Sequence, residues 1–429
     1  MSEMFKKEQL DKLNYSLKRR IRKLYTSKGS PGGMPVIVCF KHKVTPSRIH
    51  ALQKHMGSHS FTIKHHLPLL NALSTQISVS GLKRLSSWAG VHRIYLDDIN
   101  KACLNTALPS IGAAAVQSFR GLTGKGINIA VLDTGVFPHP DLTRPVNRIV
   151  AFKDFIHKKS APYDDNGHGT HVTGVIAGNG WSSGGKYKGP ASEAGIVAVK
   201  VLDEHGEALD SVVIKGIEWC ISNRARYNLR ILSLSLGKMQ VSPIKDDLVV
   251  QAVEKAVRSG LVVVVSAGNS GPDSGSIECP GTSPSAITVG AVDDRGTTDQ
   301  RDDRICRFSS RGPVFGSKIP KPDIAAPGEG IISLRAPGSV LVRNNPRRRI
   351  GSDYFTLSGT SVATPIVAGV VAQVLQQRPY LTPIQVKTLL KKNAYHRKGM
   401  KPNTFGSGLL NARFLLKQQL GRTASSTTR

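Results

Sequence analysis

The stretch INIAVLDTG, residues 127–135, is an almost unbroken apolar run that ends on one acidic and two small residues. Apolar continuity without polar alternation suits a parallel strand covered on both faces. Asp133 then falls at the carboxyl end of that strand, where open α/β sheets place their ligand crevices. Four further runs have the same character: GIVAVKVL (195–202), RILSLSLG (230–237), LVVVVSAG (261–268) and AITVGAV (286–292). Helical patterns such as DSVVIKGIEWCI (210–221) stand between them. The alternation predicts an α/β fold with a doubly wound, mainly parallel sheet.

Working outward, Asp133 closes VLDTG (131–135), and two more segments complete a chemistry with it: NGHGTHVTG (166–174) and SGTSVATP (358–365). Amide hydrolysis at neutral pH needs an activated nucleophile, a base for its proton, and a group that orients the base. Ser361, His168 and Asp133 suit these roles; any one segment alone is weak, and the joint occurrence carries the reading. SAGNSGP (266–272) adds Asn269, a carboxamide donor suited to an oxyanion hole. Ser361 is expected to open the helix SVATPIVAGVVAQVLQQ (361–377), where free N–H groups and the dipole favour negative charge. Pro365 is placed in its first turn, where a missing N–H is tolerated.

VLDTG, HGTHVTG, SAGNSGP and GTSVATP resemble the four signature blocks of the subtilisin-like serine proteases, whose triad follows the order Asp, His, Ser. The resemblance spans about Leu104 to Asn411, and YDDNGHGTH, SSRGP and KPDIAAPG are most similar to AprX-type alkaline serine proteases of bacilli. Val362 departs from it, standing where the family commonly has methionine. The resemblance implies a serine endopeptidase made as a zymogen, with protein and peptide substrates. It implies that a substrate joins as an added strand between Ser235-Leu236-Gly237 and Gly206-Glu207-Ala208, beside Ser266, Ala267 and Gly268. It places Glu278 at the base of the pocket for the residue before the cleaved bond, where a carboxylate favours Lys or Arg; an outward-turned Glu278 is the alternative. No cofactor is required and no metal residue is assigned. The loop Gly178–Gly189 is poor in carboxylates, so calcium is expected to be weak and structural at most.

Rival readings have their own signals. His168 and His171 form an HxxH pair that could hold a metal, but HExxH is absent and no third ligand recurs nearby. A formal charge of +30 suggests nucleic-acid binding, yet the basic residues are dispersed and aromatics make up only 6%, so stacking platforms are scarce. A catalytically silent binding module is disfavoured because all four catalytic positions are filled.

The chain of 429 residues exceeds one domain's usual span. Four parts are expected: a basic helical extension (1–33), a propeptide-like domain (34–104), the catalytic domain (105–418) and a disordered tail (419–429). In the second part, strand-like PVIVCF, a helix capped at Thr45 with Pro46 at its first position, two strands, a helix bearing Leu82, Leu85 and Trp88, and VHRIYLD give the order βαββαβ, a ferredoxin-like plan. Its similarity to family propeptides rests on element order and position, and a purely structural appendage is the alternative. Lys101 is a candidate self-cleavage point and Leu104 its competitor. Seven histidines precede Asn100, and their protonation would favour release in mild acid.

In the extension, Leu10, Leu13, Leu17, Ile21 and Leu24 recur at helical spacing; covering the domain is preferred to resting on an anionic membrane. The five cysteines are scattered and odd in number, which points to reduced thiols. No secretory h-region and no transmembrane-length apolar run is present, so a cytoplasmic monomer is expected, with unconventional release as the alternative.

Overall fold

A computed structural model describes residues 5–14, 17–18, 21, 33–57, 61–97, 104–239 and 243–417. The chain divides into two compact units, Met1–Lys101 and Ala102–Arg429.

The first unit is a four-stranded antiparallel sheet of β1 (Met34–Phe40), β2 (Phe61–Leu67), β3 (Ala72–Ile77) and β4 (Val91–Leu96), in the order β2-β3-β1-β4. Helices Pro46–Met56 and Val79–Ser87 complete the βαββαβ plan. Both begin as their sequences dictate: Thr45 accepts from the Arg48 N–H, with Pro46 at the first position, and Ser78 accepts from the Gly81 N–H. Val36, Val38, Leu52, Leu73, Leu82 and Ile94 form the core, and Leu13, Leu17 and Ile21 are buried in the same cluster. The Asn14 N–H donates to Ile94 O and the Ile94 N–H to Lys12 O, so the amino-terminal segment pairs with β4. Its apolar stripe is therefore occupied inside this unit; Leu24 lies outside the described residues.

The second unit centres on an eight-stranded sheet. β5 (Asn128–Asp133), β6 (Ile149–Asp154), β7 (Gly195–Lys200), β8 (Leu229–Leu234), β9 (Val262–Ser266), β10 (Ile287–Asp293) and β11 (Arg304–Ile305) run in the order β11-β10-β9-β8-β5-β7-β6, and β12 (Ile324–Pro327) pairs with β10. All pairings are parallel except β10 with β11. After β7 the chain crosses to the far side of β5, so strand order reverses at β5/β8 and opens a crevice at the carboxyl end of β5. β6 is an edge strand with a mixed burial pattern, so it lacks the continuous apolar run of the central strands.

Helix His168–Ala177 and helix Thr360–Gln377 pack in the core against this sheet. Pro365 is the sixth residue of the second helix, in its second turn rather than its first. It removes the donor that would serve the Ser361 carbonyl. One residue earlier, Thr364 Oγ1 donates to Thr360 O at 2.8 Å, a side chain assisting the ladder.

The tail 419–429, Lys101 and Cys103 fall outside the described residues. Cys39, Cys220, Cys279 and Cys306 are free thiols. Among the described residues no helix is long and apolar enough to cross a membrane.

Between β10 and β11, Asp303 is fully buried and neither carboxylate oxygen has a hydrogen-bond partner. Burial first, and then the neighbouring Asp294, Asp302 and Asp293, push its carboxyl up to about 7, with Arg397 opposing. The folded state thus holds a proton that the unfolded chain releases near pH 4. The stability this confers is present in acid and is lost as pH rises through about 7. Asp303→Asn removes the dependence. Its Tm relative to wild type is expected to rise by roughly 2–5 °C between pH 5 and pH 8, measured by scanning calorimetry; an unchanged difference would refute the assignment.

Candidate active site

Asp133 ends β5 almost wholly buried, and its Oδ1 takes two bonds, from the Thr134 N–H and from His168 Nδ1, both at 2.8 Å. A proton on Nδ1 held by a carboxylate leaves the lone pair on Nε2, the tautomer a general base needs. His168 is held there by Asp164. That carboxylate accepts from Thr134 Oγ1 (2.9 Å), Gly167 N (2.7 Å), Thr170 N (2.8 Å) and Thr170 Oγ1 (2.6 Å). Thr134 Oγ1 in turn accepts from Gly169 N at 2.8 Å. The contact requires glycine: a Cβ on Gly169 would lie 2.2 Å from Gly135 O. Burial alone would lower the imidazole's pKa; the charge and hydrogen bond of Asp133, and then Asp164, outweigh it and hold His168 above its ordinary 6.5.

Ser361 is the second residue of its helix and lines, with His168 and Asn269, one cleft of about 600 Å³. Asn269 is oriented by its neighbour in sequence to the serine: Thr360 N and Thr360 Oγ1 donate to Asn269 Oδ1 at 2.9 and 3.1 Å. With Oδ1 engaged, the amide's donor face, Nδ2, is the free one. The same cleft is lined by Ser235, Leu236, Gly237, Gly206, Glu207 and Ala208, so the two segments expected to flank a peptide are brought together.

Ser266, Ala267 and Gly268 are bonded to the segments that carry the cleft residues. Ser266 Oγ donates to Leu236 O, Glu278 N to Ala267 O, and Gly268 N to Thr360 Oγ1. The Glu278 carboxylate is wedged between the backbones of Gly237, which lines the cleft, and Gly268. A Cβ on Gly237 would meet Glu278 Oε2 at 2.8 Å, and one on Gly268 would meet Cδ at 2.4 Å. Glu278 Oε1 accepts from Asn269 N (2.9 Å) and Ser270 Oγ (2.7 Å).

His171 does not complete a metal pair. It is fully buried, with Nε2 3.1 Å from both Ile331 O and Phe355 O. Burial first, and then His168, depress its pKa to about 3, so it is a neutral donor packed behind the site. The calcium that the resemblance allows near Gly178–Gly189 finds no free carboxylate at Asp141. Asp141 Oδ1 accepts from Ser182 N and Oδ2 from Tyr354 Oη, both at 2.9 Å.

Several site residues carried no sequence signal of their own. Asp164, Thr134 and Thr360 act by hydrogen bonds that only the fold closes, although each lies within a quoted motif. Lys200 is fully buried, and its Nζ donates to Thr134 O (2.7 Å), Asp165 Oδ1 (2.7 Å) and Leu202 O (2.8 Å). Leu341 comes from the basic loop before the nucleophile. Val340 N and Leu341 N donate to Asp165 O and Asn166 O at 2.8 and 3.0 Å, and this sets Leu341 as a cleft wall.

A family model, the subtilase family, peptidase S8, matches residues 124–408. The chain is 46% identical over 362 residues to serine protease AprX of Bacillus subtilis (strain 168), covering 82% of this chain and 80% of that one. It is 38% identical over 293 residues to subtilisin Savinase of Lederbergia lenta, covering 68% and 91%. A solved cold-adapted subtilisin-like serine proteinase superposes with a TM-score of 0.51 at 32% identity, over 67% of this chain and 88% of that one. The S41 psychrophilic protease gives 0.56 at 32%, over 67% and 92%. The match covers most of the chain, and the four motifs meet where the fold opens its crevice: this chain belongs to the subtilase family of serine proteases.

Proposed function

We propose that this serine protease is an endopeptidase working through Asp133, His168 and Ser361, made as a zymogen whose first unit is its propeptide. The observation that carries the reading is the 2.8 Å bond from His168 Nδ1 to a buried Asp133, beside a cleft shared with Ser361 and Asn269. Ser361 Oγ attacks the peptide carbonyl carbon and its proton passes to His168 Nε2. The carbonyl oxygen, now an anion, is held by Asn269 Nδ2 and the Ser361 N–H. The imidazolium, stabilised by Asp133, gives its proton to the leaving amine. Water then enters by the same base, and the acyl group leaves as a carboxylic acid.

An extended peptide fits between 235–237 and 206–208 as an added strand. Side chains alternate along it, so the residue before the cleaved bond points towards Gly237 and the Glu278 carboxylate packed against it, and the one preceding that towards His168, Leu202 and Leu341. Self-cleavage is placed near the junction of the two units, at Lys101 or Leu104. No cofactor is needed, and the enzyme acts as a monomer. The buried free thiols Cys220, Cys279 and Cys306 suit a reducing compartment, and the cytoplasm is the location assigned.

Ser361→Ala is expected to abolish casein cleavage while keeping the fold, and His168→Ala to match it within about tenfold. Asn269→Ala should lower kcat about 10²–10³-fold with little change in KM. The base works when neutral and its pKa is raised. kcat/KM should therefore fall in acid with a midpoint above 6.5, and Asp133→Asn should cost about 10⁴ in kcat. Wild-type turnover in Ser361→Ala would sink the mechanism.

Adding millimolar calcium to metal-free protein should move Tm by less than ~3 °C; a shift beyond ~10 °C, several kcal/mol for a unit this size, would reverse the cofactor reading. For matched peptides cleaved after Arg, Leu or Glu, the Arg-to-Leu ratio of kcat/KM should drop about tenfold or more in Glu278→Ala. An unchanged ratio would mean that the carboxylate does not reach the bound side chain.

A further inference from the structure

Outside the catalytic cleft, His157, Asp165 and Glu204 bring three ligand atoms within 4.8 Å of one another, each from a different part of the chain. His157 Nε2 lies 3.8 Å from Asp165 Oδ2 and 3.9 Å from Glu204 Oε2. Both separations are too long for hydrogen bonds. They leave room for a centre roughly 2–2.5 Å from all three atoms, the range of metal–ligand bonds. The atoms line an open cleft of about 400 Å³ beside Val340 and Arg343.

The Asp165 carboxylate is held from behind, and the backbone at His157 and Glu204 is anchored. Asp154 Oδ1 accepts from Ile156 N and His157 N at 2.7 and 3.0 Å, which fixes the His157 turn. Lys200 Nζ occupies Asp165 Oδ1 at 2.7 Å, leaving Oδ2 as the oxygen towards the gap. Asn166 Nδ2 donates to Glu204 O at 2.9 Å. The Lys200 bond orients the Asp165 carboxylate itself, while the other two fix the backbone that presents His157 and Glu204.

We propose that His157, Asp165 and Glu204 form a zinc site, with water completing the coordination. One imidazole and two carboxylates suit zinc, whereas calcium and magnesium take oxygen ligands alone. The buried Lys200 ammonium cancels part of the carboxylate charge and limits affinity to the micromolar range. Asp165 lies three residues before His168, and Glu204 leads into the 206–208 segment. On the proposed reading of the cleft, the ion therefore clamps the loop of the base to the segment that receives substrate. The site is independent of the peptide-bond chemistry: a chelator is expected to loosen this edge, not to abolish the triad.

The test uses the full-length chain carrying Ser361→Ala, which stops self-digestion, stripped of metal and titrated calorimetrically with zinc alone. One zinc is expected to bind with a Kd of about 1–30 µM. His157→Ala and Glu204→Gln should each weaken it at least tenfold, while the remote, exposed His396→Ala should not. Cobalt should give visible absorption bands that both variants lose. Zinc at about 100 times Kd should raise Tm by several degrees in the parent and not in the variants. Zinc binding unchanged in His157→Ala and Glu204→Gln, or no binding tighter than ~100 µM, would overturn the site.

Discussion

The catalytic geometry depends on one buried carboxylate that takes no part in the chemistry. Asp164 receives four hydrogen bonds, from Thr134, Gly167 and Thr170, and so ties the end of β5 to the start of the His168 helix. Asp133 and His168 belong to those two elements, 35 residues apart in sequence. Without the tie, their 2.8 Å contact would rest on side-chain rotamers alone, and proximity of that quality is what converts a weak base into a catalytic one. Asp164 is also the second acid that raises the pKa of His168, and so favours its charged form.

Buried ammonium groups provide fixed positive charge in this fold. Lys200 is bonded at the ends of β5 and β7 and to the loop before His168. Lys321, almost wholly buried, donates to Asp323 Oδ2 and Thr288 Oγ1 at 2.7 Å and to Ala286 O at 3.2 Å. A buried charge survives only when it is paired and its protons are used, and both lysines meet that condition. Such groups bridge carbonyls and a carboxylate as a bound cation would, and need no ion from solvent.

Much of this was legible in the sequence because strong local signals agreed with the global fold. Central strands buried on both faces read as continuous apolar runs, and the cap at Thr45 wrote the first helix start of the first unit. The positions of Asp133, His168, Ser361 and Asn269 followed from glycine-rich motifs whose small residues allow close approach, as Gly169 does against Gly135. What was not legible depends on long-range closure. The edge strand β6 lacks the apolar run, Thr360's grip on Asn269 spans 91 residues, and Leu341 reaches the cleft by two backbone bonds from an unremarked loop. The start of the nucleophile's helix was read to within one residue, but Pro365 lies beyond its first turn from either start.

Asn269 also links recognition to catalysis. Its side-chain oxygen is bonded to Thr360, next to the nucleophile, while its backbone N–H is bonded to Glu278 Oε1. On the proposed reading, the donor that meets the oxyanion and the carboxylate that meets the substrate's cation share a single residue's framework. A cationic side chain drawn to Glu278 would pull on the segment that carries Asn269, and a small side chain would leave it slack. Binding energy gained at the pocket could then be expressed as better alignment of the oxyanion donor in the transition state, where it raises kcat and not merely affinity. The glycines at 237 and 268 make this coupling possible, because any side chain there would displace Glu278 from its place against both walls.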